Sequence, residues 1–331
     1  MEYKLKLRVV LSICCFWLFH TPGIFAAEKI RVAFVSPVPG FAPAWIAKET
    51  GMFARQGLDA DVILLTGSPR LVQSLIAGDV DYGIVGATAT MRARMRGAEV
   101  TILAATTNVS SQKLLVGQKS GIRRLEDLKG RVIGVSQYGS EADSFARVVA
   151  GKAGLRPDKD VAIIQLGGHP QVAAALVAGK IEAGVIGGLA FLTAEKSGAV
   201  VIATAVDLQT VSLGPAVAVT GRAIQRSRDS VMKFMRAFVE AFHYLRTNRE
   251  GTIPIVQKYM GGIGVEQARF LYDDYLPLFE ELPAPREKGL QAVLDLEADP
   301  KAKSFKPADF VDLSFLKDID RSGRVERIYK K

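Results

Sequence analysis

Along this chain, short runs of branched apolar residues alternate with longer segments in which apolar residues recur every three or four positions. The short runs predict strands at 30–35, 61–65, 81–85, 101–106, 114–118, 131–136, 161–166, 183–186, 200–205 and 215–220. The longer segments predict helices at 43–53, 68–78, 88–97, 141–151 and 170–179, with a short one at 125–130. Pro43 and Pro69 suit a first helical turn, where a missing N–H costs nothing, and Ser68 reads as an N-cap. From Arg228 onward the chain reads as helical, with Val231, Phe234, Met235, Phe238, Phe242 and Leu245 on one stripe. Strands alternating with helices in this way indicate α/β units with parallel sheets.

The pattern is duplicated. ILLTGSPRLVQSLIAGDVDYGIVGA at 63–87 and IIQLGGHPQVAAALVAGKIEAGVIGG at 164–188 share core positions and glycines at an offset of 101. RVAFVS at 31–36 returns as RVIGVS at 131–136. Two lobes with one element order are expected, the first over 28–110, the second over 111–212, and 213–331 returning to the first. The strand at 114–118 reads as the exit from the first lobe and 215–220 as the return. Two crossings permit hinge closure, and the cleft between the lobes is the expected ligand site.

In parallel sheets the strand-to-helix loops share the carboxyl edge, where ligands bind. Here those loops are rich in glycine, serine and threonine. The expected ligand-binding residues are Ser36, Pro39, Gly40 and Phe41 after the first strand; Thr66, Gly67 and Ser68; and Gly86, Ala87 and Thr88. The second lobe supplies Gln137, Tyr138, Gly139 and Ser140, then Gly168 and His169, then Gly187, Gly188 and Leu189. Each loop opens a helix, whose unpaired N–H groups and partial positive charge favour an anion by about 0.3–1 kcal/mol apiece. For any single loop, ordinary capping explains the same residues. His169 reads equally as a cap or as a ligand contact that gains charge near neutral pH, and Arg70 as a partner of the ligand, of Asp143 or of solvent. Trp45 reads as core, and His243 as structural or solvated.

Catalytic signatures are weak. GVSQY at 134–138 lacks the final glycine of a nucleophile elbow, and GGIG at 261–264 follows a helix rather than a strand. No metal-ligand spacing and no cofactor motif is present. The net charge of +9 could attract anions, but the basic residues are dispersed. Arg92, Arg94 and Arg96 read as a solvated helix face, and nucleic acid is not expected as a partner. Lys4, Lys6 and Arg8, an apolar run at 9–19 and Ala26–Ala27 have the form of a cleavable export signal over 1–27, which places the remainder in the periplasm or outside the cell. Both cysteines, Cys14 and Cys15, lie in that segment, and Ile13 disfavours a lipoprotein site.

FAPAWIAKETGMFARQGLDADV, SLIAGDVDYGIVG, LEDLKGRVIGV and ALVAGKIEAGVIG, in this order, resemble the solute-binding proteins of ABC importers in the nitrate, sulfonate and taurine group. The resemblance implies a two-lobed type II periplasmic-binding-protein fold, with each lobe a mainly parallel sheet flanked by helices. It also implies a monomeric, non-enzymatic receptor that hands a small, anionic, sulfonate-like solute to a membrane permease driven by a cytoplasmic ATPase. The same superfamily includes pyrimidine synthases of thiamine biosynthesis, which use a cysteine-rich motif that residues 28–331 lack. An enzyme on this fold with His169 as acid or base, and a periplasmic sensor, stand as alternatives.

Overall fold

A computed structural model describes residues 27–205, 207–208, 213–297 and 299–323. The segment read as an export signal lies outside them, apart from Ala27. Ten strands follow in chain order: β1 (Glu28–Phe34), β2 (Leu58–Leu64), β3 (Tyr82–Gly86), β4 (Val100–Ala105), β5 (Lys113–Val116), β6 (Val132–Val135), β7 (Ala162–Gln165), β8 (Ala183–Ile186), β9 (Val200–Thr204) and β10 (Pro215–Thr220). They form two five-stranded sheets, ordered β2-β1-β3-β10-β4 and β7-β6-β8-β5-β9. The sheets correspond strand by strand, as the duplication requires.

In each sheet four strands run in one direction, and the fourth in spatial order, β10 or β5, lies antiparallel between its neighbours. Both antiparallel strands enter directly after a crossing between the lobes. The strand read as the exit from the first lobe is therefore an interior strand of the second sheet. β3 and β8 are buried along their whole length, because helices cover both faces.

Seven helices flank these sheets: α1 (Ala42–Glu49), α2 (Met52–Arg55), α3 (Ser68–Ala77), α4 (Ala87–Met95), α5 (Glu141–Lys152), α6 (His169–Val177) and α7 (Gly188–Lys196). The single helix expected at 43–53 is broken into α1 and α2, because Gly51 takes a left-handed φ of 70° that starts a new turn. After β10 come α8 (Gly221–Arg226), α9 (Arg228–Thr247), α10 (Arg249–Tyr259), α11 (Val265–Tyr275), α12 (Glu287–Asp295) and α13 (Ser314–Arg321). Among the described residues, no helix is long and apolar enough to cross a membrane.

The expected stripe of α9 is buried in full and packs on α1 and α2, with Phe234 stacked 4.0 Å from Tyr82. Trp45 is also fully buried, stacked on Tyr259 at 5.1 Å and edge-on to Phe34 at 5.2 Å. This cluster supports the loop between β1 and α1, which forms one wall of the cleft. Trp45→Ala is expected to cost about 3–5 kcal/mol in urea unfolding, and a loss under about 1 kcal/mol would contradict this packing role.

Candidate ligand-binding cleft

The carboxyl edges of the two sheets face each other across a cavity of about 300 Å³. From the first lobe it takes Ser36, Phe41, Thr66, Gly67 and Ser68 among the expected residues, and from the second Gln137, Ser140, Gly168, His169 and Gly187. Both lobes thus contribute through the duplicated loops. Contact between the lobes is close: a Cβ on Gly67 would fall inside the Gln137 side chain, and one on Gly188 would clash with Val38 Cγ1.

The other expected residues lie outside the cavity, each for a local reason. Pro39 and Gly40 form a buried 3₁₀ turn behind Phe41, with Gly40 against Pro215 and Tyr275. Gly86, Ala87 and Thr88 sit behind Ser68, whose Oγ accepts from the Gly86 N–H at 3.3 Å. Ser68 is consequently not the N-cap of α3; Gly67 is. Tyr138 turns outward, 47% exposed, and its hydroxyl donates to the Ile163 carbonyl at 3.1 Å. Gly139 donates to Asp143 at 2.9 Å and lies beside Arg92, along a second groove between the lobes. Gly188 packs on Val38, and Leu189 packs against the core.

Arg70 is exposed and away from the cavity; Asp143 instead takes Arg147 at 3.0 Å and Arg92 at 3.8 Å. Arg92, on lobe one, thereby links to lobe two and also pairs with Glu297, while Arg94 donates to the Val100 carbonyl. Two of the three arginines read as a solvated face are therefore structural ties.

The most consequential cavity residues were not anticipated. Ser111 and Gln112 come from the first crossing, Glu141 opens α5, and Tyr275 closes α11. Ser111, Gln112 and Tyr275 fall outside the strand-to-helix loops where the search was concentrated. Glu141 adjoins Ser140, but its side-chain direction is set by the turn that Ser140 caps, with Ser140 Oγ accepting from the Asp143 N–H at 3.3 Å.

Among the described residues no lysine or arginine lines the cavity; the ionisable side chains are Glu141, His169 and Tyr275. Burial pushes the Glu141 carboxyl up to about 7, against hydrogen bonds from Ser110 and Gln112 that favour the carboxylate. Burial lowers the His169 pKa, opposed by a hydrogen bond to the Val185 backbone, so the ring stays neutral at neutral pH. Desolvation outweighs that bond and so works against the expected charge gain. Burial also holds the Tyr275 hydroxyl far above its usual range, and it donates to Ser111 Oγ at 2.9 Å.

Positive potential comes instead from backbone. α3 and α6, the duplicated pair, begin at the cavity with no side-chain cap on either helix. The N–H groups of Ser68 and His169, each followed by a proline that has none, are the first available to a ligand oxygen. His243, on α9, is hydrogen-bonded to Thr247 and is distant in the fold from this cavity's lining. No group of three or more metal-ligating side chains occurs among the described residues.

Residues 38–251 match the family model described as NMT1/THI5 like. The chain belongs to the NMT1/THI5-like family. A Brucella abortus protein named only as a candidate binding protein is 29% identical over 261 residues, 77% of this chain and 79% of the relative. A Saccharomyces cerevisiae 4-amino-5-hydroxymethyl-2-methylpyrimidine phosphate synthase is 30% identical over 152 residues, 45% of this chain and 43% of that enzyme.

Solved structures share the fold. The alkanesulfonate-binding protein SsuA of Xanthomonas axonopodis, bound to MOPS, superposes with a TM-score of 0.69 at 21% identity, over 82% of this chain and 92% of that one. The periplasmic nitrate-binding protein NrtA of Synechocystis superposes with a TM-score of 0.76 at 15% identity, over 89% of both chains. The two-lobed periplasmic-binding-protein architecture implied by the sequence motifs is therefore the observed one.

Proposed function

We propose that this chain is the exported solute-binding component of an ABC importer, closing on a small organic solute with a sulfonate-like oxyanion and delivering it to a permease. The observation that carries this reading is the pair of uncapped helix starts, Gly67–Ser68 and Gly168–His169, meeting across one cavity. Related helices from two lobes can share one oxyanion only when the lobes are closed, so binding energy is converted into closure. The sulfonate- and nitrate-binding proteins that share its fold support the same reading.

Thermal unfolding with a panel of taurine, other sulfonates, nitrate and carboxylates tests it. At about 100 times its dissociation constant, a true ligand stabilises the folded state by about 2.7 kcal/mol. A shift with no oxyanion, alongside one with an uncharged heterocycle, would remove the oxyanion from the reading.

A second reading, an enzyme on this fold, draws on one observation: a carboxyl near pKa 7 and a neutral imidazole share the cavity. The yeast relative is a synthase, but its match spans less than half of this chain, and residues 27–323 contain no cysteine. Chemical recovery separates the two. Ligand returned unchanged after long incubation supports capture, and turnover abolished by His169→Ala supports catalysis.

A further inference from the structure

Ion pairs join the lobes beside the crossings and also away from them. Lys113 opens β5 directly after the first crossing and reaches both Asp274 carboxylate oxygens at 2.9 Å. The adjacent Tyr275 bonds to Ser111 within that crossing, so this pair sits at the pivot, where a rotation of the lobes moves it least. Arg92 on α4 and Asp143 on α5 lie instead along the second groove, which no residue of either crossing lines.

The Asp143 side chain is 3% exposed and that of Arg92 19%, so water and salt screen their attraction less than at a surface pair. The Arg92 guanidinium also lies against lobe two at Gly139, where a Cβ would stand 3.2 Å from Nη1. Each partner has a further contact inside its own lobe. Arg92 pairs with Glu297, which follows α12, a helix whose Val293 and Leu294 share a core cluster with Met91 of α4. Asp143 takes Arg147 at 3.0 Å and the Gly139 N–H at 2.9 Å. Parting the lobes therefore separates Arg92 from Asp143 and leaves neither charge unpaired, which an isolated buried pair could not do. Such a contact can form and break at small cost, as a closure equilibrium requires.

We propose that Arg92 is an affinity determinant outside the solute cavity: its pair with Asp143 latches the lobes shut, and Glu297 holds that latch in check. This rests on the reading of the cleft as one that closes on a solute. Arg92 lines no part of the cavity, so it acts on binding through the fraction of chains that are closed. Glu297 competes for the same guanidinium, and its carboxylate repels Asp143 as the lobes come together. Removing the arginine and removing the glutamate then have opposite effects on closure.

Spin labels on the full chain measure that equilibrium. Cys14→Ser and Cys15→Ser leave Asp79→Cys and Lys180→Cys, exposed counterparts in the two lobes, as the only thiols. Double electron–electron resonance gives the label distances in the ligand-free chain and with taurine or nitrate; the peak matching the distance in this structure is the closed population. Arg92→Met is expected to raise the open-to-closed ratio about fivefold, and Glu297→Gln to lower it about twofold or more. A merely structural role would loosen the fold in both variants and move them the same way, and urea unfolding midpoints follow that loss separately. Ratios that stay at the wild-type value, or that move together, overturn the latch. In that case a closed peak that still grows with taurine or nitrate in the wild type leaves the oxyanion reading standing. Opposed shifts with no response to taurine or nitrate support the latch and count against the oxyanion instead.

Discussion

Glu141→Gln is expected to stabilise the ligand-free protein by about 3 kcal/mol at pH 8 and to leave its stability nearly unchanged at pH 4. The native carboxyl titrates near 7, whereas in the unfolded chain it returns to 4.5. Between those values the folded state holds a proton that the unfolded state has lost, so stability falls as pH rises through the interval. Below 4.5 both states are protonated and glutamine is a close replacement. Above 7 the wild type bears the cost of a desolvated carboxylate that glutamine avoids, at about 1.4 kcal/mol per pKa unit. Urea unfolding of both proteins from pH 4 to pH 8 measures the difference. A flat difference across that range would mean that Glu141 is solvated and ionised like a surface carboxylate.

Gly188→Ala is expected to weaken ligand binding about tenfold or more. Gly188 begins α7 with φ at 63°, and its added Cβ would clash with Val38 Cγ1 across the cleft. The two residues belong to different lobes, so under the proposed hinge closure the clash falls on the bound state and raises the apparent dissociation constant. The left-handed φ adds about 1–2 kcal/mol of strain whether the lobes are open or closed. Val38→Ala in the same chain should restore affinity but not thermal stability. If the double variant binds as weakly as the single one, strain within α7, and not contact between the lobes, accounts for the loss.

Much of this architecture is legible in the amino-acid sequence because it is repeated. The copies at 63–87 and 164–188 fix β2 through β3 and β7 through β8, and they place α3 and α6 as counterparts at the cavity. The central strands β3 and β8 follow from short apolar runs whose burial on both faces leaves little choice of conformation. The two sheets with a shared strand order, and the NMT1/THI5-like family, agree with the expected fold and group.

Side-chain direction within a loop was not legible. Tyr138 and Gln137 are neighbours, yet one bonds outward to Ile163 and the other faces Gly67 in the cleft. A glycine-rich stretch announces a turn without saying which residues point inward. Gly86 to Thr88 and Gly188 to Leu189 were expected at the ligand on loop position alone, and packing against Ser68, Val38 and the core decides otherwise.

Gln112, Glu141 and Tyr275, which line the cavity, were hidden for a different reason. Gln112 belongs to a crossing with no repeat partner, and Tyr275 arrives from α11, far along the chain. The unusual acidity of Glu141 arises only when the crossing and the second lobe bury it together. Electrostatics of this kind belongs to tertiary structure, since the same Ser140–Glu141 pair on an exposed helix would be an ordinary capped start.

Mass spectrometry of the small molecule released by denaturing the purified protein tests the central claim most directly. One solute per chain is expected, carrying an oxyanion and chemically identical before and after long incubation with the protein. A bound molecule without an oxyanion, or one converted to product during incubation, would contradict the account of this cleft as a solute-capturing site.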